Sequence, residues 1–432
     1  MKVLPRSLTK SKSYWEQAEK VIPAGTQTFS KGPTQYVQGV APIYLARGKG
    51  SHVFDVDGNE YIDYPLALGP VTLGYAYPAV DEAIIRQLQD GITFSLMHPL
   101  EVELSDLLVG VTPCAEMVRF AKNGSDATTG AVRLARAYTS RDKVACCGYH
   151  GWHDWYVATT SMNRGVPKAT RDLTLTFQYN NIGSLHRLFK ENRDEIAGVI
   201  MEPVSIAEPR DNYLEEVKEL THRNGAVLIF DEIVTGFRLA LGGAQEHYRV
   251  IPDLSTLGKG MANGMPISAL AGREEIMRLL AEVFFSFTFG GETLSLVAAA
   301  ATVDEMKHKP VIEHFWRQGK KLKEGYNALA REFGLEKQTF CEGLDAHAAI
   351  RFIDSQGTDS LEMKSLFQQE VIKRGILFNG VHNICFSHSD DDISHTLEAY
   401  RDAMTSLKQA IKENNIDKYL EGTEIRPVFR PL

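Results

Sequence analysis

Four short runs in the middle of the chain are almost wholly apolar: MVRFAKN (117–123), KVACCG (143–148), AGVIMEP (197–203) and AVLIFDE (226–232). A strand with one wet face alternates polar and apolar residues. A run without alternation belongs to a strand covered on both faces, as in a parallel sheet. Segments of helical spacing separate the runs, DATTGAVRLARAYT after the first and YLEEVKELTHRN before the last. Strand–helix–strand order makes this part of the chain α/β with right-handed crossovers.

The flanks have a different texture. Residues 13–22 read as a short helix, GTQTFSKGPTQ as an ordered loop, and 52–64 as a β-hairpin turning at Asp57-Gly58. Residues 78–90 and 100–110 have helical spacing. Beyond about residue 300, long helices (310–332, 358–374, 390–413) flank short strands such as HAAIRFI and NICFSH, an α+β pattern. Ser389 is placed to cap the last helix, and Asp392 completes a variant of the capping box.

Composition excludes several classes. With 47 Lys and Arg against 55 Asp and Glu, the net charge of −8 leaves no basic surplus for nucleic acid. No apolar run nears the ~18 residues of a bilayer span, the longest being Leu294 to Val303. The N-terminal MKVLPRSLTK lacks a signal peptide's apolar stretch. Five cysteines in no metal pattern read as reduced thiols and a cytoplasmic location.

Four features carry chemistry, each with a plainer alternative. Asp231 ends an apolar run, at the carboxyl end of a buried strand, where open α/β sheets place ligands; a helix cap or structural salt bridge would also explain it. Lys259 lies between glycines in STLGKGMANGMP, a setting for a desolvated Schiff-base lysine or simply a loop lysine. Asn123-Gly124-Ser125-Asp126 joins strand to helix and suits an anion, or an ordinary N-cap. Gly148-Tyr149-His150-Gly151-Trp152-His153 could stack on a planar ring, pack a strand end, or suggest a metal, although it matches no zinc motif.

Taken together, these motifs resemble the class III, fold-type I pyridoxal-phosphate aminotransferases, and within them the glutamate-1-semialdehyde aminomutase branch. The resemblance covers about residues 15–410. It is carried by DGNEYIDYPLALGPVTLGYAYPAV, NGSDATTGAVRLARAYTSRDK, GYHGWHD, AGVIMEPV, LIFDEIVTGFR, GAQEHYRVIPDLSTLGKGMANGMPISALAGREEIM and CFSHSDDDISHTLEAYRDAM. It implies an N-terminal segment (1–60) joining the small domain and the active-site entrance. A large domain (61–305) with a mainly parallel seven-stranded sheet would follow, then a smaller α+β domain (306–432).

The resemblance also implies roles. Lys259 would bind pyridoxal 5'-phosphate covalently and shuttle the substrate proton, and Asp231 would pair with the ring nitrogen. Gly124, Ser125 and Asp126 would form the phosphate end. Tyr149 and Ile233 would take the two ring faces, and Glu202 and Asn181 would lie near the phenolic oxygen. Thr288 would reach the phosphate of a partner subunit in a homodimer. No metal is expected.

The chain departs from the mutase pattern in three places. Phe289-Gly290-Gly291-Glu292-Thr293 replaces the residues expected after the threonine. TTSMNRGVPKATRDLTLTF is short for a gating loop. Lys31 stands where the mutase has a carboxylate-binding arginine, and Arg351 and Arg374 are candidates for a second such role by residue type alone. Without a lid, the expected reaction is two-substrate transamination, from an amino acid such as glutamate to a carbonyl acceptor. The polar loop Thr26, Gln27, Thr28 and Ser30 suggests a sugar or other hydroxylated acceptor, and the alternative is the aminomutase, an isomerase. Both substrates are small molecules, with no nucleic-acid or membrane partner.

Overall fold

Residues Pro78–Ile312 gather around a seven-stranded sheet. Its strands run in the order Met117–Ala121, Ser268–Gly272, Leu254–Leu257, Val227–Asp231, Ile196–Met201, Lys143–Cys147 and Thr174–Thr176. Only Ser268–Gly272 runs antiparallel to its neighbours. The computed structural model describes residues 6–426.

Three of the four apolar runs are strands buried from both sides, whereas Met117–Ala121 lies at the sheet's edge with Arg119 exposed. Val144, Cys146, Ile200, Val227 and Ile229 face one core, which they share with Ala131, Leu134 and Ala135 of the helix Gly124–Thr139. The intervening Ala145, Val199, Met201, Leu228 and Phe230 face a second core under the helices Ile182–Glu191 and Tyr213–Arg223. Strand side chains alternate faces, so apolar residues at every position mean cover on both. Three strands escape the pattern, because Leu254–Leu257, Ser268–Gly272 and Thr174–Thr176 are short and rich in Ser, Thr and Ala.

The other compact unit comprises the residues before Pro78 and those from Glu313 onward. Contacts divide the chain after Tyr77 and after Ile312. Glu60–Asp63 forms the expected hairpin with His52–Asp55, and Ile376–Leu377 adds to it in parallel. A second sheet joins Thr339–Leu344, His347–Phe352 and Val381–Asn383. Ser389 caps Asp390–Lys412 as expected, its Oγ accepting from Asp392 N at 3.1 Å.

NICFSH is not a strand beyond Asn383. The imidazole of His388 folds back to accept from Cys385 N at 3.0 Å, closing a turn. Of the C-terminal tail, residues 427–432 lie outside the described residues. The part before them packs along the N-terminal segment, with Thr423 N donating to Gln38 O at 3.0 Å and Arg426 N to Thr34 O at 2.7 Å.

Candidate active site

Sheet register brings the chemistry together. Cys147 pairs with Met201, Met201 with Phe230, and Asp231 with Thr256, so these strands end level with one another. The segments that leave them, Gly148–His150, Glu202, Asp231 and Lys259, therefore emerge along one carboxyl edge. In an open α/β sheet that edge is where ligands bind.

Asp231 is 3% exposed, and both its oxygens are engaged. Oδ1 accepts from Ile233 N at 3.1 Å and Thr256 Oγ1 at 3.2 Å, and Oδ2 meets His150 Nδ1 at 2.7 Å. The other ring nitrogen of His150 lies 3.1 Å from the carbonyl of Cys147. A carbonyl only accepts, so Nε2 carries hydrogen. The short contact at Nδ1 ties the ring to the carboxylate. The imidazole of His150 also stacks on Trp155, with centroids 6.0 Å apart. It braces the carboxylate, and among the described residues no group of His, Cys, Asp and Glu is arranged to hold a metal.

Lys259 adopts φ of 30°, uncommon for a non-glycine residue and a form of strain that clusters at functional sites. Burial pushes its ammonium below the ordinary lysine range, and the charge of Arg238 pushes the same way, while Asp231 and Glu202 oppose it. A lysine biased toward the free amine is a nucleophile. Glu202 is held above the usual carboxylate range by burial and by Asp231, and its Oε2 accepts from Tyr149 N at 3.1 Å.

Ile233 fills a slot between two glycines. A methyl group on Gly124 or on Gly258 would meet Ile233 Cδ1 at 3.0 Å. Gly124 and Ser125 open the 16-residue helix Gly124–Thr139, whose N-terminus presents unpaired N–H groups and positive dipole. Ser125 Oγ accepts from Trp152 N at 3.3 Å. Gly151, at φ of 102°, passes so close to Ser125 that any side chain there would collide with its Oγ. Tyr149 keeps 49% of its surface exposed at this edge.

Four further expected site residues have settings of their own. Asp126 turns its Oδ2 back to Asn123 N at 2.7 Å, closing the helix's own capping box. Asn181 is exposed and caps Ile182–Glu191, its Oδ1 accepting from Ser184 N at 3.1 Å. Thr288 lies in an exposed turn, and Lys31 belongs to the other compact unit. Sequence reasoning missed the bracing role of His150 and the buried Glu232. Glu232 holds the next turns in place by accepting from Thr235 Oγ1 and Ala244 N, each at 2.6 Å, and from Gln245 N at 2.9 Å. A carboxylate directly after Asp231 was the available signal.

A profile described as aminotransferase class-III matches residues 35–404. The chain belongs to the class III aminotransferases. Among its relatives is the 3-aminobutyryl-CoA aminotransferase of Cloacimonas acidaminovorans, 36% identical over 94% of this chain and 99% of the relative. A glutamate-1-semialdehyde 2,1-aminomutase of Acetivibrio thermocellus is 39% identical over 91% of this chain and 97% of its own length. The FumI protein of Sphingopyxis sp. MTA144 superposes with a TM-score of 0.88 at 28% identity, over 94% of this chain and 98% of its own. The fold is therefore that of the fold-type I transferases, and the aminotransferase's cofactor is pyridoxal phosphate. The residues at the sheet edge suit that group: a primary amine, a braced carboxylate, and a helix N-terminus with a hydroxyl. No helix of the described residues is long and apolar enough to cross a membrane.

Proposed function

We propose that this aminotransferase moves an amino group from an amino acid, with glutamate as donor, to a small carbonyl acceptor. The observation that carries the reading is Asp231, buried and braced by His150 beside an amine-biased Lys259. Bound pyridoxal phosphate supplies an electron sink for the bond-breaking at the substrate carbon. Lys259 holds the cofactor and carries the proton to and from that carbon. Asp231 keeps a proton on the ring nitrogen, and His150 keeps Asp231 in place. Gly124 and Ser125 bind the phosphate, Tyr149 and Ile233 confine the ring, and Glu202 hydrogen-bonds near it. Lys31 receives an anionic group of the substrate. A panel of amino donors, scored by conversion of the cofactor spectrum and then by its recovery with carbonyl acceptors, tests the reading. Failure of every donor to alter the spectrum contradicts it.

The identity to an aminomutase supports a second reading, an intramolecular isomerisation. A single-substrate assay with glutamate 1-semialdehyde and no donor separates the two. The reading includes a homodimer in which Thr288 completes the partner's phosphate site. Leu96, Met97 and Phe284, each at least 80% exposed, support an interface, and Met97 shares a cavity with Phe287 and Gly290 near Thr288. Mixing inactive Lys259→Ala subunits with subunits inactivated in the Thr288 loop should restore activity in mixed dimers.

A further inference from the structure

Beyond the helix Asp390–Lys412 the described chain forms only the short turn Asp417–Tyr419, yet it is tied down at close intervals. The ties start from three side chains of the helix Leu361–Ile372: Ser365, Gln368 and Gln369. Residues three and four apart share one helix face. This face is polar although all three residues are fully buried. A buried amide or hydroxyl is costly unless it is hydrogen-bonded, and these groups find their partners in the backbone of two irregular segments.

Gln369 serves the tail. Its Nε2 donates to Tyr419 O at 2.9 Å, and its Oε1 accepts from Glu421 N at 2.7 Å and from Gly422 N at 3.4 Å. Ser365 Oγ accepts from Ile425 N at 3.1 Å, and Lys373 pairs with Glu421. Gln368 serves the N-terminal segment. Its Oε1 accepts from Val37 N at 2.8 Å, and its Nε2 donates to Gln35 O at 3.1 Å. The two segments then meet each other. Thr423 N donates to Gln38 O in an antiparallel bridge, Arg426 N donates to Thr34 O, and Gln35 Nε2 donates to Arg426 O at 2.7 Å. Gly422 passes so close that a methyl group there would collide with Gln38 O and Val37 Cγ1. Residues 34–38 are thus held twice, by a helix side chain and by the tail.

We propose that residues 419–426 are a clasp on residues 34–38, and that the clasp, through this segment, sets how well the enzyme binds its substrate. The segment follows directly on Lys31, and Lys31, Pro33 and Tyr36 line one cavity with Asp63 and Leu377. A terminal stretch is poorly ordered unless it is tied down. Without the tail, residues 34–38 would keep the Gln368 tie and sample other positions. A binding-competent arrangement present for a fraction of the time weakens apparent affinity by that fraction. None of the ties involves Lys259 or Asp231, which belong to the other compact unit, so cofactor attachment does not depend on the clasp. The consequence for substrate rests on the role proposed for Lys31; the clasp itself does not.

The test is hydrogen–deuterium exchange on the holoenzyme, read by peptide mass spectrometry, beside steady-state kinetics. Two variants outside the core open the clasp. Gly422→Ala drives the tail off Gln38, and Thr423→Pro removes the N–H that Gln38 O accepts. Thr423→Ala keeps that N–H and is the control. In both opening variants exchange in residues 34–38 should quicken roughly tenfold, the worth of about one hydrogen bond, while Leu361–Ile372 exchanges as in wild type. The KM for the amino donor should rise about threefold or more, with kcat and the cofactor spectrum unchanged. Thr423→Ala should match wild type in every reading. Unchanged exchange in residues 34–38 in both variants, or an equal rise in Leu361–Ile372, overturns the clasp. Faster exchange with an unchanged KM overturns its link to substrate and removes Lys31 from substrate binding, while the aminotransferase reading stands. Should wild type convert no amino donor, that reading falls, and exchange alone decides the clasp.

Discussion

Two sets of buried ionisable groups, one in each compact unit, are handled in opposite ways. At the sheet edge of the Pro78–Ile312 unit, charge is kept and matched: Asp231 has three partners and Glu232 several donors. The other unit also keeps matched charge, at Asp392 beside His52 and Ser51, but three of its buried groups are pushed toward the neutral form. Burial pushes the imidazoles of His382 and His388 down to about 3 and about 4, and pushes Asp63 up to about 6. His382 instead hydrogen-bonds Tyr400 Oη at 2.8 Å, and His388 stacks on Tyr64 with centroids 4.9 Å apart. A buried ion is tolerated only when it is paired and hydrogen-bonded.

The largest expected effect comes from deleting the amine on the charged side. Lys259→Ala should abolish measurable turnover in steady-state assays while far-UV circular dichroism and thermal unfolding stay near wild type. Near-normal turnover would remove Lys259 from the reaction. Next is Asp231→Asn, which keeps shape but cannot hold a proton on a ring nitrogen. The expected loss in kcat is on the order of a hundredfold to a thousandfold, as for removal of one preorganised electrostatic contact; a twofold loss would mean that another group does the work. His150→Phe keeps the ring packing against Trp155 and Tyr156 but leaves Oδ2 of Asp231 without its donor. A hydrogen bond to a charged group is worth about 1.5–3 kcal/mol, so kcat should fall roughly tenfold to a hundredfold. The KM for the donor should stay near wild type, which a merely structural role would not ensure.

Smaller effects test the suppressed side, and there the sign matters. A histidine whose folded pKa lies below its unfolded value contributes stability that is full above about 6.5 and is lost as pH falls toward the folded value. For His388, at about 4, the loss amounts to about 3 kcal/mol by pH 4. Denaturant unfolding across pH 7 to 4 measures it, and NMR should show both imidazoles neutral at pH 5. Titration of either near 6.5 in the folded protein would erase the contrast. Asp63 runs the other way. Its folded value near 6 lies above the unfolded one, so its contribution is present at low pH and lost as pH rises through about 6. Asp63→Asn should therefore gain on the order of 2 kcal/mol relative to wild type between pH 4 and pH 8. No pH-dependent difference would mean that Asp63 is ionised without cost.

The contrast also explains what could be read in advance. The sheet of the Pro78–Ile312 unit was legible because doubly covered strands leave unbroken apolar runs, and a charge after such a run, Asp231 after AVLIF, stands out. Lys259 was legible through its glycines. The pairing of His150 with Asp231 was not, because 81 residues separate them and only the order and register of the strands bring them together. The same limit hid a cavity in the unit built from the two chain ends. Lys31, Tyr36, Asp63 and Leu377 meet in space, yet nothing local in the chain ties the hairpin to the strand Ile376–Leu377. NICFSH failed for a local reason: the side chain of His388 competes for a backbone donor and makes a turn of an apolar run.

The central claim is that the sheet edge offers one activated amine, Lys259. Reducing the holoenzyme with borohydride and mapping its peptides by mass spectrometry tests this directly. A pyridoxyl group should be found on Lys259, and on no other lysine, in wild type, and should be absent from Lys259→Ala. A label on Lys122, on Lys31 or on any other lysine in the wild-type protein, or no label at all, would contradict the account.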